Sequence, residues 1–143
     1  MKATPIKSLT LASLGLIAGG LLAVHADDVD LSKLPPAADK KGVTFEKDIK
    51  PIFEKSCFKC HGPETEKPKG KLRVDTLQAV LKGGENGPDV VPGDIKKSTL
   101  LHQIAQIVDE DDWMPPKDNK AKIPPLAKDQ VALIRAWIEQ GAK

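Results

Sequence analysis

Both cysteines of this chain fall in one five-residue run, Cys57-Phe58-Lys59-Cys60-His61, and no other feature narrows the possibilities so far. The spacing is C-x-x-C-H, which attaches a c-type haem. In that chemistry the two thiols add to the two vinyl groups along one porphyrin edge, and the neighbouring imidazole reaches the iron. Cys57 and Cys60 are therefore expected as attachment points and His61 as the proximal ligand.

Other uses of the same residues fit the rest of the chain less well. A thioredoxin-like dithiol needs a βαβ context with the motif opening a helix. Here a helical pattern precedes the motif, and a loop rich in Gly, Pro and Lys follows it. A zinc site needs three or four protein ligands, and beyond these three only His102 remains, on a distant helical stretch. A plain disulfide is the strongest alternative in an exported chain. It leaves His61 and the downstream Met114-Pro115-Pro116 element without a role.

With 143 residues the chain has room for one domain and a tail. Residues 1–26 read as a secretory signal peptide: Lys2 and Lys7 open it, Leu9 to Leu22 is apolar, and Val24-His25-Ala26 offers a cleavage site. The apolar run is short for a membrane span and diluted by Ser, Thr and Gly, so cleavage after Ala26 and a periplasmic or otherwise exported product are expected. Retention as an N-terminal anchor is the alternative. Removing Lys2 and Lys7 from the 22 basic residues leaves 20 against 20 acidic, so the formal charge of +2 falls to zero. A neutral domain is not expected to bind nucleic acid. Phe45, Phe53, Phe58, Trp113 and Trp137 are the only aromatic residues, a thin supply for a core of this length. A buried haem would add the missing apolar bulk.

Residues 27–42, with Pro35-Pro36 and mixed charge, read as a linker or a wrap over the surface. The domain is expected over 43–143. Phe45, Ile49, Ile52 and Phe53 share one helical face behind Thr44 as N-cap, and Pro51 should kink or restart that helix. Asp75 is expected to cap a short helix over Thr76 to Lys82, stopped by Gly83-Gly84. A further helix is expected behind Ser98, with Leu100, Leu101, Ile104, Ile107 and Val108 on its apolar face. A last one, about Lys128 to Gln140, presents Val131, Ile134, Trp137 and Ile138. The fold class is thus all-α: a small domain of roughly three to five helices with long Pro/Gly-rich loops, the first and last helices crossing near the haem.

The other haem face sets the function. Met114, 53 residues beyond His61 in a proline-flanked loop, is the expected distal ligand. Ordinary core filling is the commoner fate of a methionine. His102 is the rival ligand, on a helix where it faces either the haem or water. Arg73 and Trp113 are candidates to hold haem propionates, or are surface and packing residues.

Together these marks resemble the planctomycete-type cytochrome c domain, a relative of the class I c-type cytochromes. The resemblance runs from about Phe45 to Ala142. It rests on Phe45-x-x-Asp48-Ile49-Lys50-Pro51-Ile52 entering Cys57-Phe58-Lys59-Cys60-His61-Gly62-Pro63, then Lys71-Leu72-Arg73-Val74-Asp75 and Gly83-Gly84. Val91-Pro92-Gly93-Asp94, Ser98-x-Leu100-Leu101, Met114-Pro115-Pro116 and Trp137-Ile138-x-x-Gly141-Ala142 complete it. It implies a cytochrome c-like haem fold with one covalent haem c, iron held by His61 and Met114, and redox partners acting in trans. Ala127 departs from it, standing where a serine is the usual cap of the last helix.

The function expected from these residues is one-electron transfer by a monomeric carrier rather than catalysis, since His/Met iron has no open position. A five-coordinate haem with peroxidase-like or gas-sensing chemistry, and a haem-containing recognition or relay module of a periplasmic enzyme complex, are the alternatives. Lys55, Lys59, Lys67, Lys69 and Lys71 surround the motif while Asp109 to Asp112 crowd the Met114 side. Such runs are solvated faces or a dipolar docking surface.

Overall fold

The computed structural model describes residues 29–143. The expected signal peptide and its cleavage point after Ala26 lie outside them. Five α-helices carry the fold: α1 (Lys50–Ser56), α2 (Phe58–His61), α3 (Leu77–Lys82), α4 (Thr99–Ile104) and α5 (Lys128–Glu139). The described residues contain no strand, only an isolated bridge between Gly84 and Gly87. None of their helices is long and apolar enough to cross a membrane.

The stretch ahead of α1 shows what Pro51 does. Pro51 has no N–H, so an unbroken α-helix through it would lose one backbone bond. The chain instead makes a wide turn over Phe45–Ile49, in which the Lys50 N–H reaches back to the Phe45 carbonyl, and α1 restarts with proline in its first turn. There the missing donor costs nothing. Thr44 occupies the cap position, but its side chain caps nothing. Asp48 does that work from inside the turn, accepting the Thr44 N–H at 2.8 Å and an ammonium hydrogen bond from Lys40.

This turn places Phe45, Ile49 and Phe53 against α5, whose Ile134, Trp137 and Ile138 are fully buried. Phe45 lies between two rings, 6.1 Å from Phe53 at 67° and 6.0 Å from Trp137 at 41°. These are the tilted arrangements that aromatic quadrupoles favour. Residues 29–42 follow α5 on its outer side. Leu34 is buried, the Ala38 N–H bonds to the Ala132 carbonyl at 3.0 Å, and Arg135 holds the Pro35 carbonyl at 2.8 Å.

Two helix starts differ from the sequence reading. Thr76, not Asp75, caps α3, its hydroxyl accepting the Ala79 N–H at 3.1 Å. Ser98 precedes α4 but supports the loop before it, accepting the Val91 N–H at 3.0 Å and donating to the Asp94 carbonyl at 2.7 Å. Helix α4 is also shorter than its apolar pattern suggests. Gln106 takes a left-handed conformation (φ 56°), so Ile107 and Val108 lie in the following loop. At α5, the side-chain carbonyl of Gln130 accepts the Ala127 N–H at 2.9 Å, which supplies half of a capping box although Ala127 has no cap of its own.

The Asp48 contacts give a pH signature. The hydrogen bond from Lys40, then the Thr44 N–H, holds the Asp48 carboxyl below its ordinary value of 3.8. A depressed carboxyl stabilises the fold above the unfolded-state value, and that stability is lost as pH falls through the folded one. Asp48→Asn should therefore be less stable at neutral pH and lose part of its acid sensitivity below pH 3.8, as read by denaturant unfolding across a pH series.

Candidate haem site

Between α1, α2, α4 and the loop after Trp113 lies a cavity that opens to solvent. Its walls are largely apolar: Phe53 from α1, Leu72 and Val74 from an extended stretch, Leu100 and Ile104 from α4, and Ile123 and Leu126 ahead of α5. Into it open Cys57, Cys60, His61 and Met114. Four residues singled out from the sequence, three of them more than 50 positions from the fourth, are thus brought to one space.

Each is held by its neighbourhood. Helix α2 is a single turn, with the His61 N–H bonded to the Cys57 carbonyl at 2.9 Å. Gly62 ends it: a Cβ there would sit 2.5 Å from the Phe58 carbonyl oxygen, so only glycine allows the chain to leave so sharply. The His61 ring is 3.0 Å through Nδ1 from the Leu72 carbonyl, and the Val74 N–H bonds to the His61 carbonyl at 3.0 Å. A carbonyl only accepts, so Nδ1 carries the proton and Nε2 keeps its lone pair, the form in which imidazole binds a metal.

Cys57 and Cys60 are both free thiols. Burial, and to a lesser degree the neighbouring Cys60, pushes the Cys57 thiol up to about 12, so it is protonated at neutral pH. The Met114 N–H is tied to the Gln103 carbonyl at 3.2 Å. Asn119 closes the loop behind it, donating to the carbonyls of Pro116 (2.8 Å) and Ile123 (2.9 Å) while accepting the Ile123 N–H (2.7 Å). Nothing in the sequence except a proline-rich, polar loop pointed to Asn119 or Gln103.

Three other candidates do not border the cavity. His102 is buried on another face of α4, its Nε2 2.7 Å from the Ile95 carbonyl. Arg73 reaches the loop behind the motif, donating to the Gly62 and Thr65 carbonyls, each at 2.7 Å. The Trp113 indole N–H donates to the Val108 carbonyl at 2.9 Å, and its ring borders a separate shallow pocket with Pro115, Pro116 and Pro125.

Residues 57–118 match the family model described as planctomycete cytochrome C. Over that segment the chain is similar to the planctomycete-type cytochrome c domain. No curated protein and no solved structure matches the chain. The matched segment runs from Cys57 past Met114, so it spans every motif residue that opens into the cavity. The match supports a haem-binding cytochrome, and the residues present fit the group. The pocket is apolar, the thiols are unpaired, and an imidazole with a free Nε2 opens into the same space.

The Arg73 contacts have a measurable consequence. Hydrogen bonds from a charged group contribute roughly 1.5–3 kcal/mol. Arg73→Ala should therefore lower unfolding stability by about that amount. Arg73→Lys should recover little of it, because one ammonium does not reproduce a fork spanning two carbonyls. Denaturant titration of the three proteins checks this.

Proposed function

We propose that the chain is an exported mono-haem c-type cytochrome that carries single electrons between partner proteins. Cys57 and Cys60 would hold the haem as thioethers, and His61 and Met114 would be its axial ligands. The observation that supports this reading is the convergence of these four residues on one apolar cavity. When bound, haem supplies reversible one-electron chemistry. The protein's share is to hold, orient and enclose it.

The Leu72 carbonyl fixes the His61 ring and enriches it as a donor through Nδ1–H, which favours the oxidised metal. The soft, neutral Met114 thioether favours the reduced one, and the walls of Phe53, Leu100, Ile104 and Leu126 exclude water. With His61 and Met114 both holding the iron, the chain would leave no vacancy for a substrate, which favours a carrier over an enzyme. The N-terminal 26 residues would export the chain, where thiols meet the haem-attachment machinery outside the cytoplasm.

Lys55, Lys59, Lys67, Lys69 and Lys71 are all exposed around the motif. Grouped in sequence around the motif, they would suit an acidic redox partner acting in trans. Transfer to a negatively charged acceptor should slow as ionic strength rises. Charge reversal at Lys59 and Lys69 should slow it further without altering the haem spectrum.

The central test uses protein made in a haem-maturing host. Haem should stay with the polypeptide through acid–acetone extraction, and replacing both cysteines with serine should release it. Oxidised protein should show the weak band near the red end of the visible spectrum that reports iron–thioether bonding. Met114→Ala should remove that band and lower the reduction potential, whereas His102→Ala should change neither. Extractable haem, or a band that follows His102 and not Met114, would overturn the assignment.

A further inference from the structure

The arm that carries Met114 has little regular structure to hold it. No α-helix forms between Trp113 and Lys128, and Pro115, Pro116, Pro124 and Pro125 have no N–H to give. The main chain there closes short turns, from the Asn119 N–H to the Pro116 carbonyl at 3.2 Å and from the Lys122 N–H to the Asn119 carbonyl at 3.0 Å. The arm nevertheless forms two parts of the cavity wall: Met114, Pro115 and Pro116 first, then Ile123 and Leu126 on the way to α5. One side chain joins the two parts. The Asn119 carboxamide gives its N–H donors to the carbonyls of Pro116 (2.8 Å) and Ile123 (2.9 Å), and its oxygen accepts the Ile123 N–H at 2.7 Å. Asn119 itself borders the cavity, so this joint sits in the wall it holds together.

We propose that Asn119 is a positioning residue that keeps the Met114 side of the site closed to external ligands, by latching the Met114 arm to the segment that leads into α5. The inference rests on the reading of Met114 as an axial ligand. Pro116 stands two residues beyond Met114, and the two prolines leave the chain between them few alternative backbone angles. Withdrawing the thioether from the cavity therefore pulls the Pro116 carbonyl away from Asn119, while the two bonds to Ile123 stay within their own turn. The Pro116 bond is made in the closed arrangement and lost in the open one, and only such a difference shifts the balance between them. An external ligand binds the open arrangement alone, so its apparent affinity scales with the fraction of chains that are open. Asn119 lowers that fraction, and so favours electron transfer over ligand chemistry.

The test is made on the ferric holoprotein with added imidazole. Asn119→Asp keeps the side-chain shape and the acceptor for the Ile123 N–H, but at neutral pH it has no donor for Pro116. It should let imidazole displace Met114 on the order of 10-fold more readily, the fold-change expected when the net contribution of one hydrogen bond is removed. Asp48→Asn, which loosens the turn before α1, is the control: it should lower stability and leave imidazole affinity unchanged. An equal rise in that control would mean that general stability sets ligand access, and the Asn119 role would fall. Unchanged affinity in Asn119→Asp, with the red-edge band present, would also overturn that role and leave Met114 standing. Absence of the band in the wild type would overturn both. A second measurement needs no variant. In wild-type protein the Asn119 side-chain NH2 protons should exchange slowly with solvent, and several-fold faster once imidazole is saturating. Those of the exposed Asn86 should exchange fast in both states. Asn119 exchange that ignores imidazole would refute the latch.

Discussion

The contact on which the rest of the site depends joins His61 to the stretch Leu72–Val74. The ring donates to the Leu72 carbonyl and the main chain accepts from Val74, so one short extended segment grips the histidine twice. A helix of one turn such as α2 has no stability of its own, because nucleation is unfavourable and four residues add little propagation. Its shape is imposed from outside. Gly62 lets the chain turn away at once, and Arg73, next to the gripping residues, fastens the departing loop through its carbonyls. The residues around the imidazole thus form a closed circuit of hydrogen bonds, and the ring orientation does not rely on the cofactor to set it.

A second constraint is the scarcity of large side chains. With five aromatic residues after position 26, the fold spends three of them in one place: Phe45, Phe53 and Trp137 meet where the turn before α1 crosses α5. That crossing serves as the solid part of the core. The cavity is its open counterpart, and Phe53 belongs to both, being fully buried and also part of the cavity wall. The space is apolar and lined by Cys57, Cys60, His61 and Met114 together, which marks it as a place for a ligand rather than a packing fault.

How much of this was legible in the sequence depends on whether a residue's role is local. The C-x-x-C-H spacing and the proline-flanked Met114 stand out through their neighbours, and both open into the one cavity. Helix α5 and the interruption at Pro51 were legible too, because apolar period and a missing N–H act within a few residues. Helix caps were less legible. Thr44, Asp75 and Ser98 are all sound cap residues by type, yet Asp48 and Thr76 do the capping, and Ser98 is drawn into the loop before α4. Neighbouring acceptors compete for the same donors, and tertiary packing chooses among them. The end of α4 was illegible for a similar reason. Nothing in Gln106 requires a left-handed conformation, which a glycine or asparagine would have announced.

Long-range partners are the least readable of all, and Arg73 and Trp113 illustrate why. A cation and an indole near a haem motif are natural candidates for propionates, but the structure gives their donors to main-chain carbonyls at Gly62, Thr65 and Val108. Those carbonyls belong to irregular loops with no helix or sheet to satisfy them, and a buried carbonyl without a donor is expensive. In a domain whose site is built mostly from loops, the strongest donors are used first to hold the loops. Met114 follows the same logic from the other side. Its N–H goes to Gln103, Trp113 beside it is tied to Val108, and Asn119 closes the segment that follows. Three ties on both flanks of one methionine fix its backbone before any ligand arrives, so little conformational entropy remains to be lost when the thioether is engaged.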